Sequence, residues 1–253
     1  MDRLLFGDNQ FFGINHMSEE KARAQATRFQ KTEAIMEVLD TAYDAGIGTF
    51  MCTTHDRIAE IVTRIKADPA RYPEFAFYPC MPYAHKYANA VTEHGMVGAL
   101  REFMPKDGLL ATALAGGKAL AAKDIDGIAR ILIDMEMKMF DGVRTPVVFI
   151  QTVCTDLLLG MGFTRIFRLF DEHIRATYGA EPAYITMNLP MLLEALEREG
   201  IERPIICANI NKIGFGMSGG FDADLDALRS GRVRAVAMSV YASGAIPADE
   251  AIH

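Results

Sequence analysis

Short apolar runs alternate along the chain with longer segments that have helical spacing. The apolar runs are rich in β-branched residues and predict strands at 3–8, 47–53, 75–80, 147–153, 183–187, 204–209 and 233–240. In the intervals, apolar residues recur at spacings of three and four, as in Ile35, Met36, Leu39, Ala42 and Tyr43. Alternating strands and helices predict parallel strands joined by right-handed crossovers. We therefore predict a (β/α)8 TIM-type barrel, with an open doubly wound sheet as the alternative.

This pattern contains seven clear strands, whereas a (β/α)8 barrel has eight. The stretch 108–114 could form the eighth strand, between helices expected near 84–104 and 124–141. Its alanine and leucine content favours a helix equally well. If it is helical, the eighth β/α unit is incomplete or irregular.

The overall composition narrows the classes of function. The 253 residues are 50% hydrophobic and contain no linker-like or repetitive stretch, which favours one domain over 1–253. A net charge of -7 without a basic stripe argues against a nucleic-acid partner. An early Asp8 argues against a secretory leader, and no apolar run approaches the roughly 20 residues of a membrane span. We expect a cytoplasmic protein with a small-molecule substrate, and homo-oligomerisation stays open.

The strand ends carry most of the candidate substrate-binding residues. In barrel enzymes the active site lies at the carboxyl ends of the strands. The polar or small residues after the predicted strands are Asp8, Asn9, Asn15, Tyr83, Gln151, Asn188, Asn209, Asn211, Ser239, Ser243 and Gly244. The alternative for any one of them is capping of the next helix, as for Asn188.

Three histidines, His16, His55 and His85, follow three successive predicted strands. Three neutral imidazoles that converge on one point can bind a divalent metal and leave a position open for water or substrate. No HxH or HExxH spacing enforces such a site, so acid–base catalysis and simple capping remain alternatives. His55 is the strongest candidate, and if the histidines act chemically, we predict that His55→Ala abolishes activity without unfolding the protein.

Two lysines and two glycine-rich stretches complete the candidate chemistry. Lys86 and Lys212 follow strands and could form a Schiff base with a carbonyl substrate or bind an anion. The stretches 214–220 and 242–245 could bind phosphate or carboxylate through backbone N–H groups, or could simply be tight turns. The charged segment 16–30 could be a lid over the site or an extra surface helix.

Part of the chain resembles the aldo-keto reductases. The strand Tyr-Ile-Thr-Met-Asn at 184–188, the helix after it and the strand at 204–209 are similar to the second half of that family, and 236–245 looks like its next strand and cofactor loop. The run 38–47 is also similar. The family's catalytic Asp would fall at 50–54, where no acid stands, and its active-site His would fall near Gln151. The resemblance thus supports a barrel and disfavours NADPH as cofactor.

The sequence as a whole predicts a metabolic enzyme. We expect a small, polar, anionic and carbonyl-bearing substrate, and lyase or isomerase chemistry by acid–base or metal assistance. A divergent aldo-keto-reductase-like oxidoreductase and a non-catalytic small-molecule-binding barrel are the alternatives.

Overall fold

The structure is a computed structural model that describes residues 2–14, 18–83 and 125–252. Seven strands form one all-parallel sheet that curls into a half-barrel, and their order in the sheet follows the chain. The strands are β1 (Phe6–Gly7), β2 (Thr49–Thr53), β3 (Ala76–Met81), β4 (Val147–Ile150), β5 (Glu181–Thr186), β6 (Ile205–Asn209) and β7 (Arg234–Met238). The predicted parallel α/β architecture is confirmed at this level.

Helices fill the intervals between strands in the described residues. They are α1 (Glu19–Arg28), α2 (Thr32–Asp44), α3 (Asp56–Ala67), α4 (Ile125–Met137), α5 (Thr152–Gly160), α6 (Arg165–His173), α7 (Leu189–Arg198), α8 (Phe221–Arg229) and α9 (Ala248–Ile252). The apolar stripe predicted from Ile35 onward is the buried face of α2. No helix in the described parts of the chain is both long enough and apolar enough to cross a lipid bilayer.

The third and fourth strands are direct neighbours in the sheet. Cys80 of β3 pairs with Phe149 of β4, and Met81 pairs with Ile150. The candidate eighth strand at 108–114 lies outside the described residues.

The two faces of the sheet pack in different ways. On one face, side chains of the strands pack against the helices in two clusters, one of them rich in phenylalanine around Phe50 and Phe77. On the other face, strand side chains such as Tyr78, Phe149 and Ile185 pack against one another. Strands buried on both faces explain the continuous apolar runs in the sequence.

The last strand is an exception to this burial. The residues of β7 alternate between half-buried and exposed, and in the described chain its only pairing is with β6. At its carboxyl end, however, the loop that follows β7 approaches the loop that follows β1, and together they border a cavity.

Candidate active site

A buried carboxyl group follows β1 at the carboxyl ends of the strands. Asp8 is 6% exposed, and its Oδ2 accepts hydrogen bonds from both the N–H and the Oγ1 of Thr53, each 2.7 Å long. Burial raises the pKa of Asp8, and the two bonds from Thr53 oppose that rise without cancelling it. The carboxyl is therefore a candidate proton donor or acceptor closer to neutral pH than an ordinary aspartate.

Other ionisable groups near Asp8 hold their protons more tightly. Burial raises the pKa of the Tyr83 phenol, and the charge of Asp8 raises it further. Burial likewise raises the pKa of the Cys80 thiol well above its ordinary value, with Asp8 as a second cause. Neither group is a ready base at neutral pH, which leaves Asp8 as the stronger candidate among these three. Cys52, Cys80 and Cys207 are buried free thiols.

His55 lies at the first turn of α3. Its Nδ1 accepts a hydrogen bond from the backbone N–H of Arg57 at 3.1 Å, so the side chain caps the helix. The imidazole stacks on Phe12, with ring centroids 4.4 Å apart, and meets the edge of Tyr83 at 5.5 Å. The structure thus gives His55 a local structural role. Its predicted role in proton transfer stays a prediction.

Of the three histidines in the predicted metal centre, the structure describes only His55. His16, His85, Lys86 and Asn15 lie outside the described residues, so the convergence of the three histidines is untested. Among 2–14, 18–83 and 125–252, no group of three or more His, Cys, Asp or Glu residues is placed to hold a metal ion.

A cavity of about 660 Å³, lined by both polar and apolar residues, lies between the loops that follow β1 and β7, and we call it the β1–β7 cavity. Its described lining is Asn9, Gln10, Ile14, Gln25, Ser239, Val240, Tyr241, Ser243, Gly244 and Ile246. Four residues predicted from the strand-end pattern, Asn9, Ser239, Ser243 and Gly244, therefore meet in one place. Asn9 directly follows Asp8, so the cavity and the buried carboxyl are adjacent along the chain.

Sequence reasoning missed Gln25, which lies in α1. None of the described residues of this helix is buried, yet Gln25 forms part of the cavity wall. The helix can approach because residue 13 is glycine: its φ is +67°, and a Cβ there would lie 2.8 Å from the Ala22 carbonyl oxygen and 2.9 Å from the Ala26 Cβ. The segment 16–30 thus contains a surface helix, as one alternative predicted, and that helix also lines the site.

The turn after β7 requires unusual backbone conformations. Ser239, Ala242 and Ser243 all have positive φ angles, between 46° and 57°, and Gly244 has a φ of 93°. Two short backbone hydrogen bonds close the turn, from Ala242 N to Ser239 O and from Gly244 N to Tyr241 O. The glycine-rich stretch is therefore a tight turn. Anion binding by this turn stays a prediction.

The remaining predicted residues are held by local contacts. Asn188 is the N-cap of α7 and accepts a hydrogen bond from the Met191 N–H, as the alternative predicted. Gln151 occupies the N-cap position of α5, and its N–H donates to the Met81 carbonyl. Asn209 and Asn211 bond within the loop that follows β6. Lys212 is exposed, so it lacks the apolar pocket that an amine nucleophile needs.

Two features are therefore adjacent along the chain at the carboxyl ends of the strands, a buried carboxyl oriented by Thr53 and a cavity whose lining begins at the next residue. The likeness to aldo-keto reductases stays a prediction based on residue pattern. Comparison of the chain with protein-family models, with curated proteins and with solved structures finds no match.

Proposed function

We propose that this protein is an enzyme that binds a small, polar, carbonyl-bearing substrate in the β1–β7 cavity and transfers a proton through Asp8. The observation that carries the proposal is the buried Asp8 carboxyl, with its raised pKa, at the residue directly before Asn9, which lines the cavity. A closed (β/α)8 barrel in the cytoplasm is part of the same proposal. The chain-order parallel sheet supports the barrel.

The chemistry follows from what a carboxylate with a raised pKa can do. A base removes and returns a proton more efficiently as its pKa rises toward the working pH, and the shift of Asp8 is in that direction. Removal of a proton next to a carbonyl, followed by its return to a neighbouring carbon, is an isomerisation. Removal followed by loss of a leaving group is a lyase reaction. Thr53, which donates twice to the same oxygen of Asp8, keeps the carboxyl in one orientation.

Proton exchange into heavy water tests this proposal whatever the final product of the reaction is. Simple aldoses, ketoses and 2-oxo acids are incubated with the protein in D₂O, and proton NMR follows loss of the C–H signal next to each carbonyl. We expect exchange with at least one compound. Asp8→Asn should slow that exchange by roughly 10²- to 10⁴-fold, the usual effect of removing a proton-transfer group.

Asp2, beside the start of β2, offers a matched control for Asp8, which lies beside the end of β2. Asp2 accepts a hydrogen bond from Thr49 at the start of β2, as Asp8 does from Thr53 at its end. Asp2→Asn should leave the exchange rate unchanged. An unchanged rate in Asp8→Asn would refute the proposal, whereas binding without exchange in the wild type would favour the non-catalytic binding barrel.

A further inference from the structure

The β1–β7 cavity has many hydrogen-bonding side chains and none that is charged in its described lining. Asn9, Gln10 and Gln25 contribute amides, and Ser239 and Ser243 contribute hydroxyls. The Gln10 amide is oriented by its Nε2, which donates to the Gly7 carbonyl at 2.8 Å. Amides and hydroxyls offer both donors and acceptors, and that mixture suits a ligand that also carries both.

An anionic ligand group would be poorly compensated in this cavity. A carboxylate or phosphate that leaves water needs a cation or several strong donors, and the described lining contains neither lysine nor arginine. The net charge of -7 adds unfavourable electrostatics. The described part of the cavity therefore favours an uncharged ligand, in contrast to the anionic substrate expected from the sequence.

One buried acceptor points to a ligand that donates hydrogen bonds. The Oε1 atom of Gln25 is buried and accepts no hydrogen bond from the described residues. An unsatisfied buried acceptor is unfavourable, and a ligand hydroxyl would relieve that cost when the Gln25 amide, which lines the cavity, rotates its oxygen toward the ligand. An ionised carboxylate or phosphate dianion has no proton to donate there. If the Gln25 amide is instead rotated by 180°, Nε2 takes the place of Oε1. A hydroxyl also pairs with that donor, because a hydroxyl both donates and accepts.

The apolar part of the lining matches the carbon skeleton of such a ligand. Ile14, Val240 and Ile246 contribute aliphatic surface, and the Tyr241 ring at the cavity is 45% exposed. Free sugars and cyclic polyols present C–H groups on one face and hydroxyls around the rim. An exposed aromatic ring can cover such a C–H face while amides bind the hydroxyls.

We infer that the β1–β7 cavity binds an uncharged, hydroxyl-rich small molecule of the free sugar class, whose open-chain form carries a carbonyl. This assignment rests on the proposed function, because it names the substrate class of the same site. Because the described lining has no cation, we expect phosphorylated sugars to bind less tightly than free sugars.

Direct binding measurements test the inference independently of catalysis. Titration calorimetry with D-glucose and D-fructose is compared with glucose 6-phosphate and inorganic phosphate at constant ionic strength. We expect at least one neutral compound to bind, and the phosphorylated sugar to bind at least about tenfold more weakly, the cost of one uncompensated charge contact.

Gln25→Leu should weaken binding of the neutral compound by about five- to tenfold, the contribution of one hydrogen bond. Gln30→Leu is the matched control, because Gln30 is exposed just beyond the same helix and does not line the cavity. Circular dichroism confirms folding, which Gln25→Leu should not disturb since Gln25 is not part of the buried core.

Three results would overturn the inference: no binding by any neutral compound, equal or tighter binding of glucose 6-phosphate or phosphate, or unchanged binding in Gln25→Leu. These results are distinct from failure of the proposed function. Loss of the catalytic proposal would be seen in the exchange rate of Asp8→Asn, while sugar binding and its dependence on Gln25 are read from heats of binding alone.

Discussion

The loops that follow β6 and β7 look alike in sequence and differ in structure. Both follow a parallel strand, and both contain glycine beside polar residues. In the first of these regions, two buried side-chain amides, those of Asn209 at the end of β6 and of Asn211, hydrogen-bond to the backbone of the loop 210–220. Asn209 Nδ2 donates to the Gly216 carbonyl at 2.9 Å, and Asn211 exchanges two bonds of 2.8 Å with the backbone of Phe215.

The second loop, residues 239–247, faces the β1–β7 cavity instead. Ser239, Ser243 and Gly244 line that cavity together with polar residues that follow β1. Polar groups satisfied within a loop stabilise its shape, whereas polar groups that border a cavity are available to a ligand. We therefore call 210–220 the closed loop and 239–247 the open loop, and the difference makes quantitative predictions.

The largest effect should come from a side chain placed inside the closed loop. Gly216 has a φ of +68°, and a Cβ there would lie 2.6 Å from Asn209 Nδ2. Gly216→Val adds left-handed strain and also separates the Asn209 amide from its carbonyl partner. We expect a loss of about 3–5 kcal/mol in the free energy of unfolding, measured by urea denaturation.

Gly214→Ala serves as the control for backbone strain alone. Gly214 has a φ of +72° with open space around it, so substitution should cost only about 1–2 kcal/mol. If Gly214→Ala and Gly216→Val cost the same, the internal hydrogen bonding of the closed loop does not contribute as argued.

Removal of one polar side chain that contacts the closed loop and of one in the open loop sharpens the comparison. Asn209→Ala removes a buried side chain and leaves the half-buried Gly216 carbonyl without its side-chain donor, and we expect a loss of about 1–3 kcal/mol. Ser243→Ala in the open loop should change stability by no more than about 0.5 kcal/mol, as is usual for half-exposed positions. Thermal unfolding of both variants measures the difference, and equal losses would remove the distinction between the loops.

A smaller, pH-dependent effect is expected from Asp224 of α8, which packs against the closed loop. This carboxyl is 1% exposed, lies against Gly219, and its buried Oδ1 accepts no hydrogen bond from the described residues. Burial raises its pKa above the ordinary value of 3.8, so the folded protein favours the protonated form. Protonated Asp224 therefore contributes its full share to the free energy of unfolding below pH 3.8. That contribution is lost as the pH rises through the pKa of Asp224 in the folded protein.

Asp224→Asn removes that ionisation. We expect the variant to melt at a higher temperature than the wild type at pH 7, with the gap closing as pH falls below 3.8. Melting curves across this range check the sign. A gap that stays constant with pH would show that the carboxyl does not titrate across this window.

Strand prediction was accurate in the centre of the sheet and poor at its first edge. The runs at 75–80 and 204–209 correspond to β3 and β6 within one or two residues, because strands buried on both faces are continuously apolar. The run at 3–8 contains only the two-residue β1, which pairs with β2 in the described chain. The run at 147–153 ends at Ile150, since α5 already begins at Thr152. Local hydrophobicity does not record where hydrogen-bonded pairing stops.

The sequence by itself determined the order of strands and helices and the end of the sheet where polar residues collect. These depend on local periodicity and on the direction of parallel strands. Only the tertiary structure separated the closed loop from the open one, placed Gln25 in the cavity wall and raised the pKa of Asp8. Burial and hydrogen-bond satisfaction arise from groups distant in the chain, such as Thr53 beside Asp8, and no local pattern encodes which distant groups will meet.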